Sequence, residues 1–443
     1  AAIQAGLGGG LDHASFLPSW RVSLNDCQQG YGAVQLTYGR NSMKLTRIAL
    51  VATTAALFGA SYAHACAVDG AGLSILSNDF PAVNALQAEA AACGAETEEN
   101  AEHRTLINDA LSASPSAYNT VIGSNGSFSP AHAAGLVAAI TDVPGVAELP
   151  AEMKIMVDGE VMAIAVMANS SHLQVRQDIL DDLGLGVPST MAEVLEVADA
   201  MKAAGVMEYP LSGMVSSGWY LGNAFVEMFR GTGESLFTDG ANPNINTDAG
   251  LETLAMMKEM TSRMNPDFLT YGANEVQAQF ETGEAAISVL WGSRAAVVSD
   301  GVEALGGSMT HAAAPTLGDG TVPSTNLWWD GFFFAKNQSD EDLARAVALA
   351  IDSADVDMLG KGDNSAAAVW LIPGFEASPA NAGVLATAAG GAPAYPMVPY
   401  MSAMHSAIDA EIVEFLKGNE SAEQALADAE AAYITAATEG GFL

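Results

Sequence analysis

The chain has 443 residues, half of them apolar and 15% charged, which allows two domains and excludes an intrinsically disordered protein. Sixteen basic residues stand against 52 acidic ones, a net charge of −36. Nucleic acid and anionic lipid both demand a basic face, so neither is expected as a partner.

Residues 43–65, MKLTRIALVATTAALFGASYAHA, begin with Lys44 and Arg47, continue as an apolar run from Ile48 to about Ala60, and close with Ala63-His64-Ala65. This is the pattern of a secretory signal, too short to span a membrane and continue. Residues 1–42 lack a helical or strand period and read as a mis-called start rather than structure. The exported chain is then expected to begin near Cys66. It keeps two cysteines, Cys66 and Cys93. A disulfide between them would suit an oxidising compartment. Two free buried thiols, or a lipid on Cys66, are the alternatives, the last disfavoured because Ala63 stands where a lipobox usually has leucine.

Strands and helices alternate from there. GLSILS (72–77) is a short apolar strand ending in Asn78-Asp79, with a helix expected over about 82–92. NTVIGSNG (119–126) repeats that form and ends in Ser124-Asn125-Gly126. In EMKIMVDGEVMAIAVMAN (152–169), Asp158-Gly159 between apolar runs signals a hairpin. Thr190 and Glu193 form a capping box ahead of an apolar stripe that stops at Gly205. Leu251, Leu254, Met257, Met260 and Met264 mark another helix. Ser339-x-x-Asp342 and Ser421-x-x-Gln424 open two more. AAISVLW (285–291) and DGFFFAK (330–336) read as strands. Such alternation predicts an α/β architecture with mostly parallel sheets. No internal repeat is visible, and only 386–394 is of low complexity (Ala/Gly-rich).

Read in order, these features resemble the extracellular solute-binding proteins of bacterial ABC importers, the sugar-binding group typified by maltose-binding protein. The resemblance rests on the signal, on VRQDILDDLGLGVPSTMAEVLEVADAMKAAG, on NTDAGLETLAMMKEM, on FETGEAAISVLWGSR, on WWDGFFFAKNQSDEDLARAVALA and on the terminal ESAEQALADAEAAY helix. It covers 66–443. It implies a type II-like periplasmic-binding fold: two α/β lobes joined by crossing hinge strands, closing on a ligand in the cleft. The lobes it suggests are 66–167 with about 293–360, and about 168–292 with 361–443. It also implies a periplasmic monomer that serves membrane-embedded permease subunits and needs no cofactor.

A sugar offers apolar C–H faces and a rim of hydroxyls, so its cleft needs flat aromatic rings and directional polar groups. Five tryptophans follow the signal: Trp219, Trp291, Trp328, Trp329 and Trp370. Each is predicted at a strand end, helix start or loop, where core packing and ligand contact are both open. By the resemblance, Trp291 occupies a ligand-contacting position after the G-x-A-A strand, and Asn169 another at the first crossover. Asn169 could equally be a turn asparagine bonded to its own backbone. In NLWWDG, adjacent side chains must point to opposite faces. One tryptophan can therefore pack beneath a lobe while the other faces the cleft beside Asp330, whose carboxylate would accept hydroxyl hydrogens. Asn78, Asp79, Ser124 and Asn125 lie at strand ends, where ligands bind in open α/β sheets. Arg294 could fork onto hydroxyls or a carboxylate.

DGANPNINTDAG (239–250) is rich in oxygen ligands but departs from the EF-hand loop, so a capped loop is expected and no metal. His103, His132, His172, His311 and His405 have no zinc spacing. Two rivals to a sugar or polyol receptor remain. A secreted carbohydrate-active enzyme would need two opposed carboxylates. A receptor for amino acids or other zwitterions would need an Arg–Asp clamp.

Overall fold

The computed structural model describes residues 66–318 and 320–443; the secretory signal and residues 1–42 lie outside them. The described residues form ten strands: β1 Ser74–Ser77, β2 Glu96–Glu99, β3 Thr120–Ser124, β4 Lys154–Val157, β5 Glu160–Asn169, β6 Ser171–Arg176, β7 Ile287–Trp291, β8 Met309–Ala312, β9 Trp328–Phe334 and β10 Val369–Trp370. They form two sheets, one per lobe. Lobe 1 carries the order β10-β5-β9-β3-β1-β2 with β4 on β5, and lobe 2 carries β7-β6-β8.

The mostly parallel arrangement expected from the sequence is not what forms. Only β1 runs parallel to its neighbours, β2 and β3. The remaining pairs are antiparallel, because β5 leaves lobe 1 for lobe 2 and β9 returns beside it, with Asn169 opposite Trp328. The two crossings thus lie side by side, and Ser170 alone separates the strand of one lobe from that of the other. Gly331 makes this junction possible: a Cβ there would come 2.0 Å from the Ile164 carbonyl oxygen.

The lobe boundaries also need correction. Residues 293 to about 327 belong to lobe 2, since β8 pairs with β6 and Val298 and Val302 pack with Phe280 and Leu290. Conversely, β10 stays in lobe 1 on β5, so the return to lobe 2 falls after Trp370.

Local signals act as chemistry requires. Asp158 and Gly159 both take positive φ, 52° and 87°, at the β4–β5 hairpin, as a type I′ turn demands. Thr190 and Glu193 form the full capping box, and Ser339 and Ser421 each accept from the backbone N–H three residues on. Thr247 caps the next helix at the end of the oxygen-rich loop. Cys66 and Cys93 are joined by a disulfide, S–S 2.03 Å, which ties the start of the described chain to the end of helix Pro81–Ala92.

Candidate ligand cleft

β9 decides the site by its alternation. The strand begins at Trp328, two residues earlier than the sequence suggests. Trp329 and Phe333 turn to one face, into the core beneath helix Asn125–Ala133, where Phe128 lies 5.6 Å from the Trp329 ring. Trp328, Asp330, Phe332 and Phe334 share the other face. Phe332 and Phe334 lie in lobe 1's second core. Trp328 and Asp330, at the strand's start, reach the edge of the sheet that meets lobe 2, where Ser124 pairs with Asp330.

At that edge a cavity of about 370 Å³ opens between the lobes. Lobe 1 contributes Arg104, Gly126 and Ser127, and lobe 2 contributes Trp219, His405 and Asp409, with Tyr395 between. Trp219 opens helix Trp219–Gly231, preceded by Gly218, whose φ of 105° places its N–H on the Asp409 carboxylate at 2.5 Å. The Trp219 ring stacks on His405 (5.5 Å, 14°) and on Trp291 (6.5 Å, 22°). Trp328 meets both tryptophans edge-on at 5.8 and 5.5 Å and stacks on Tyr395 at 3.9 Å. Three tryptophans from three separate segments therefore pack into one aromatic cluster, in which Trp219 lines the cavity with Tyr395 while Trp291 and Trp328 stand behind it. A smaller depression of about 280 Å³ around Tyr209, Leu211 and Tyr271 takes no residue from lobe 1 and gathers no such cluster.

The charges are few and opposed. Arg104 lies exposed at the cavity mouth, its guanidinium carbon 4.1 Å above the Trp219 ring. Protein crowds it closely enough to lower its basicity, but an arginine keeps its charge. Burial pushes the Asp330 carboxyl up to about 6, against the pull of Arg104. Among the described residues no donor is hydrogen-bonded to that carboxyl, which leaves it an open acceptor. His405, buried and near Arg104, is driven down to about 3 and is neutral.

The remaining sequence candidates divide. Asp79 of lobe 1 faces Arg294 of lobe 2 closely enough to support its charge, while it accepts from Asn84. Asn78 Oδ1 accepts from the Asp79 N–H. Arg294 donates to Gln277 at 3.2 Å. Ser124 is buried with its hydroxyl unpartnered, and Asn125 bonds the Gly126 N–H. Asn169 spends its amide on Ser293, Oγ and N–H both, and on the Ser170 N–H. It fastens the hinge to the turn after β7 rather than facing the cavity. Two tryptophans are not brought to the cleft. Trp329 is the core partner just described, and Trp370 is buried in lobe 1, its Nε1–H donating to the Asn364 carbonyl at 2.8 Å. Their local sequence resembles that of the cleft tryptophans, and only strand register separates them. Arg104, Tyr395, His405 and Asp409 were missed because they come from helices and a loop with no distinctive motif.

Residues 90–353 match the family described as bacterial extracellular solute-binding protein, 264 of 443 residues. The chain belongs to that family. Solved structures agree in fold. A solute-binding protein of an ABC transporter from Agrobacterium radiobacter K84, in complex with ribitol, superposes with a TM-score of 0.70 at 17% identity, covering 83% of this chain and 99% of that one. MalE3 of T. maritima with maltose gives 0.66 at 16%, covering 82% and 99%. A solute-binding protein from Agrobacterium vitis S4 with D-mannitol gives 0.66 at 16%, covering 84% and 99%. No curated protein sequence matches significantly. Like those structures, this binding protein is built of two lobes. It is an extracellular binding protein by family.

Proposed function

We propose that this solute-binding protein captures a sugar or polyol between its lobes by hinge closure and delivers it, as a periplasmic monomer, to the permease of an ABC importer without altering it. The observation that carries the reading is the Trp219 ring lining a cavity between the lobes, backed by Trp291 and Trp328, with the unbonded carboxyl of Asp330 buried close to Arg104 at the cavity mouth. Flat rings accept the C–H faces of a sugar, and an ionised carboxylate makes the stronger hydrogen bonds to its hydroxyls. The single-strand crossings at Ser170 and Trp328 suit a hinge. The bound sugars and polyols of the similar structures support the ligand class.

A second reading has one observation of its own. Arg104 stacked over Trp219 means that the wall tolerates a cation, and Asp330 could answer a ligand ammonium, so a cationic or zwitterionic solute is the rival. Titration calorimetry with maltose, D-mannitol and ribitol on one side, and betaine-like solutes and amino acids on the other, separates the two. The sugar reading requires that a carbohydrate binds and that Trp219→Ala abolishes it. Binding that survives Trp219→Ala would sink this site.

A further inference from the structure

Helix Trp219–Gly231 runs inward from the cavity, and its every fourth side chain, Trp219, Asn223 and Glu227, lies on one side. Trp219 is at the wall; Glu227, two turns deeper, is a carboxylic acid only 5% exposed. The Trp328 ring connects the two ends. Its benzo edge points to lobe 1, where a Cβ on Gly126 would stand 3.1 Å from Cζ3. The opposite edge, with Nε1, therefore points away from the cavity, and there the side chains of Ser171, Asn223, Thr325 and Trp328 surround the Glu227 carboxyl. Trp328 Nε1, Glu227 Oε1, Asn223 Oδ1 and Ser171 Oγ are all fully buried, yet none closes a well-formed hydrogen bond. The Trp328 N–H is thus a buried donor close to the buried Glu227 acceptor, and such a pair gains from bonding. Trp329 offers the contrast: its Nε1 is also buried and unpartnered, but its neighbours are Phe128 and Phe333. Arg230, on the same helix, turns its Nη2 to the Ala394 carbonyl.

We propose that Glu227 is a positioning residue for the ligand: its carboxyl takes the Trp328 indole N–H and so fixes the ring against which Trp219, Trp291 and Tyr395 pack. The proposal rests on the reading of this cavity as the ligand site. The test follows the Trp328 indole N–H resonance of the ¹⁵N-labelled protein, assigned by its loss in Trp328→Phe, together with carbohydrate affinity. Glu227→Leu should move that resonance and weaken binding about tenfold, the worth of one such hydrogen bond. Glu227→Gln, which keeps an acceptor, should move the resonance less and restore affinity. In a Trp328→Phe background Glu227→Leu should cost no further affinity. A resonance that stays in place in Glu227→Leu, or affinity lost equally in Gln and Leu, overturns the proposal. Where Glu227→Leu does not fold, Glu227→Met, as long and without a carboxyl acceptor, takes its place in the same comparison. If the wild type binds no carbohydrate, the ligand reading fails, while the resonance still settles whether Glu227 holds Trp328.

Discussion

Glu227→Gln should make the protein more stable, and by an amount that depends on pH. Burial pushes this carboxyl from an ordinary 4.5 up to about 7, only partly offset by hydrogen-bonding side chains around it. Below pH 4.5 the group is protonated in both the folded and unfolded chain and costs nothing. Between pH 4.5 and about 7 the unfolded chain ionises while the folded one holds its proton, so stability falls as pH rises. Above about 7 the full penalty applies. At 1.36 kcal/mol per pH unit, the gap amounts to about 3 kcal/mol. Glutamine is neutral throughout and fills the same space. Urea unfolding of both proteins at pH 4.5, 6, 7 and 8 measures the difference, and subtraction removes the contribution of every other titrating group. The variant should match the wild type at pH 4.5 and exceed it by about 3 kcal/mol at pH 8. A difference that does not change with pH would refute the reasoning, since it would mean that Glu227 is ionised in the folded state at its ordinary value.

Asp330 gives a matching prediction in binding. Ligand affinity should rise as pH increases through about 6, where this buried carboxyl ionises into the better acceptor, and calorimetry across pH 5–8 should find Asp330→Asn flat over that range. Replacing Cys66 and Cys93 together by serine should cost about 3–4 kcal/mol in the chain-entropy account of a loop with a sequence separation of 27, read as a lower urea midpoint at an unchanged slope. Trp370→Ala should lower stability by about 3–5 kcal/mol, as for other large core truncations, and leave the dissociation constant unchanged, because that indole is anchored to Asn364 within lobe 1.

The fold was legible where the chain carries strong local chemistry. The Asp158-Gly159 turn and the Thr190, Ser339 and Ser421 caps act through neighbours a few residues away, so sequence alone could place them. Strand direction was not legible. β5 and β9 look like any apolar strands, and their antiparallel insertion follows from the chain crossing between lobes and returning. The same limit misplaced residues 293–327, since the pairing of β8 with β6 is a contact across 130 residues and more. At the site, the alternation rule correctly required Trp328 and Trp329 to part company. Which of them would join the aromatic cluster behind the cleft depended on register with β3. Asn169 has the position of a ligand contact by the resemblance, but its amide is consumed by the hinge. Arg104 and His405 gave no signal at all, for an isolated arginine or histidine on a helix has no pattern until another lobe comes to meet it.

The central claim is that the aromatic cleft binds a carbohydrate and releases it unchanged. The most direct measurement is a thermal-shift screen of the purified protein against sugars, polyols, amino acids and compatible solutes, each recovered after overnight incubation and checked for breakdown. A ligand at a hundred times its dissociation constant adds about 2.7 kcal/mol to stability. The account predicts a clear rise in melting temperature with a sugar or polyol that is recovered intact. A response confined to zwitterions, or a sugar recovered in pieces, would contradict it.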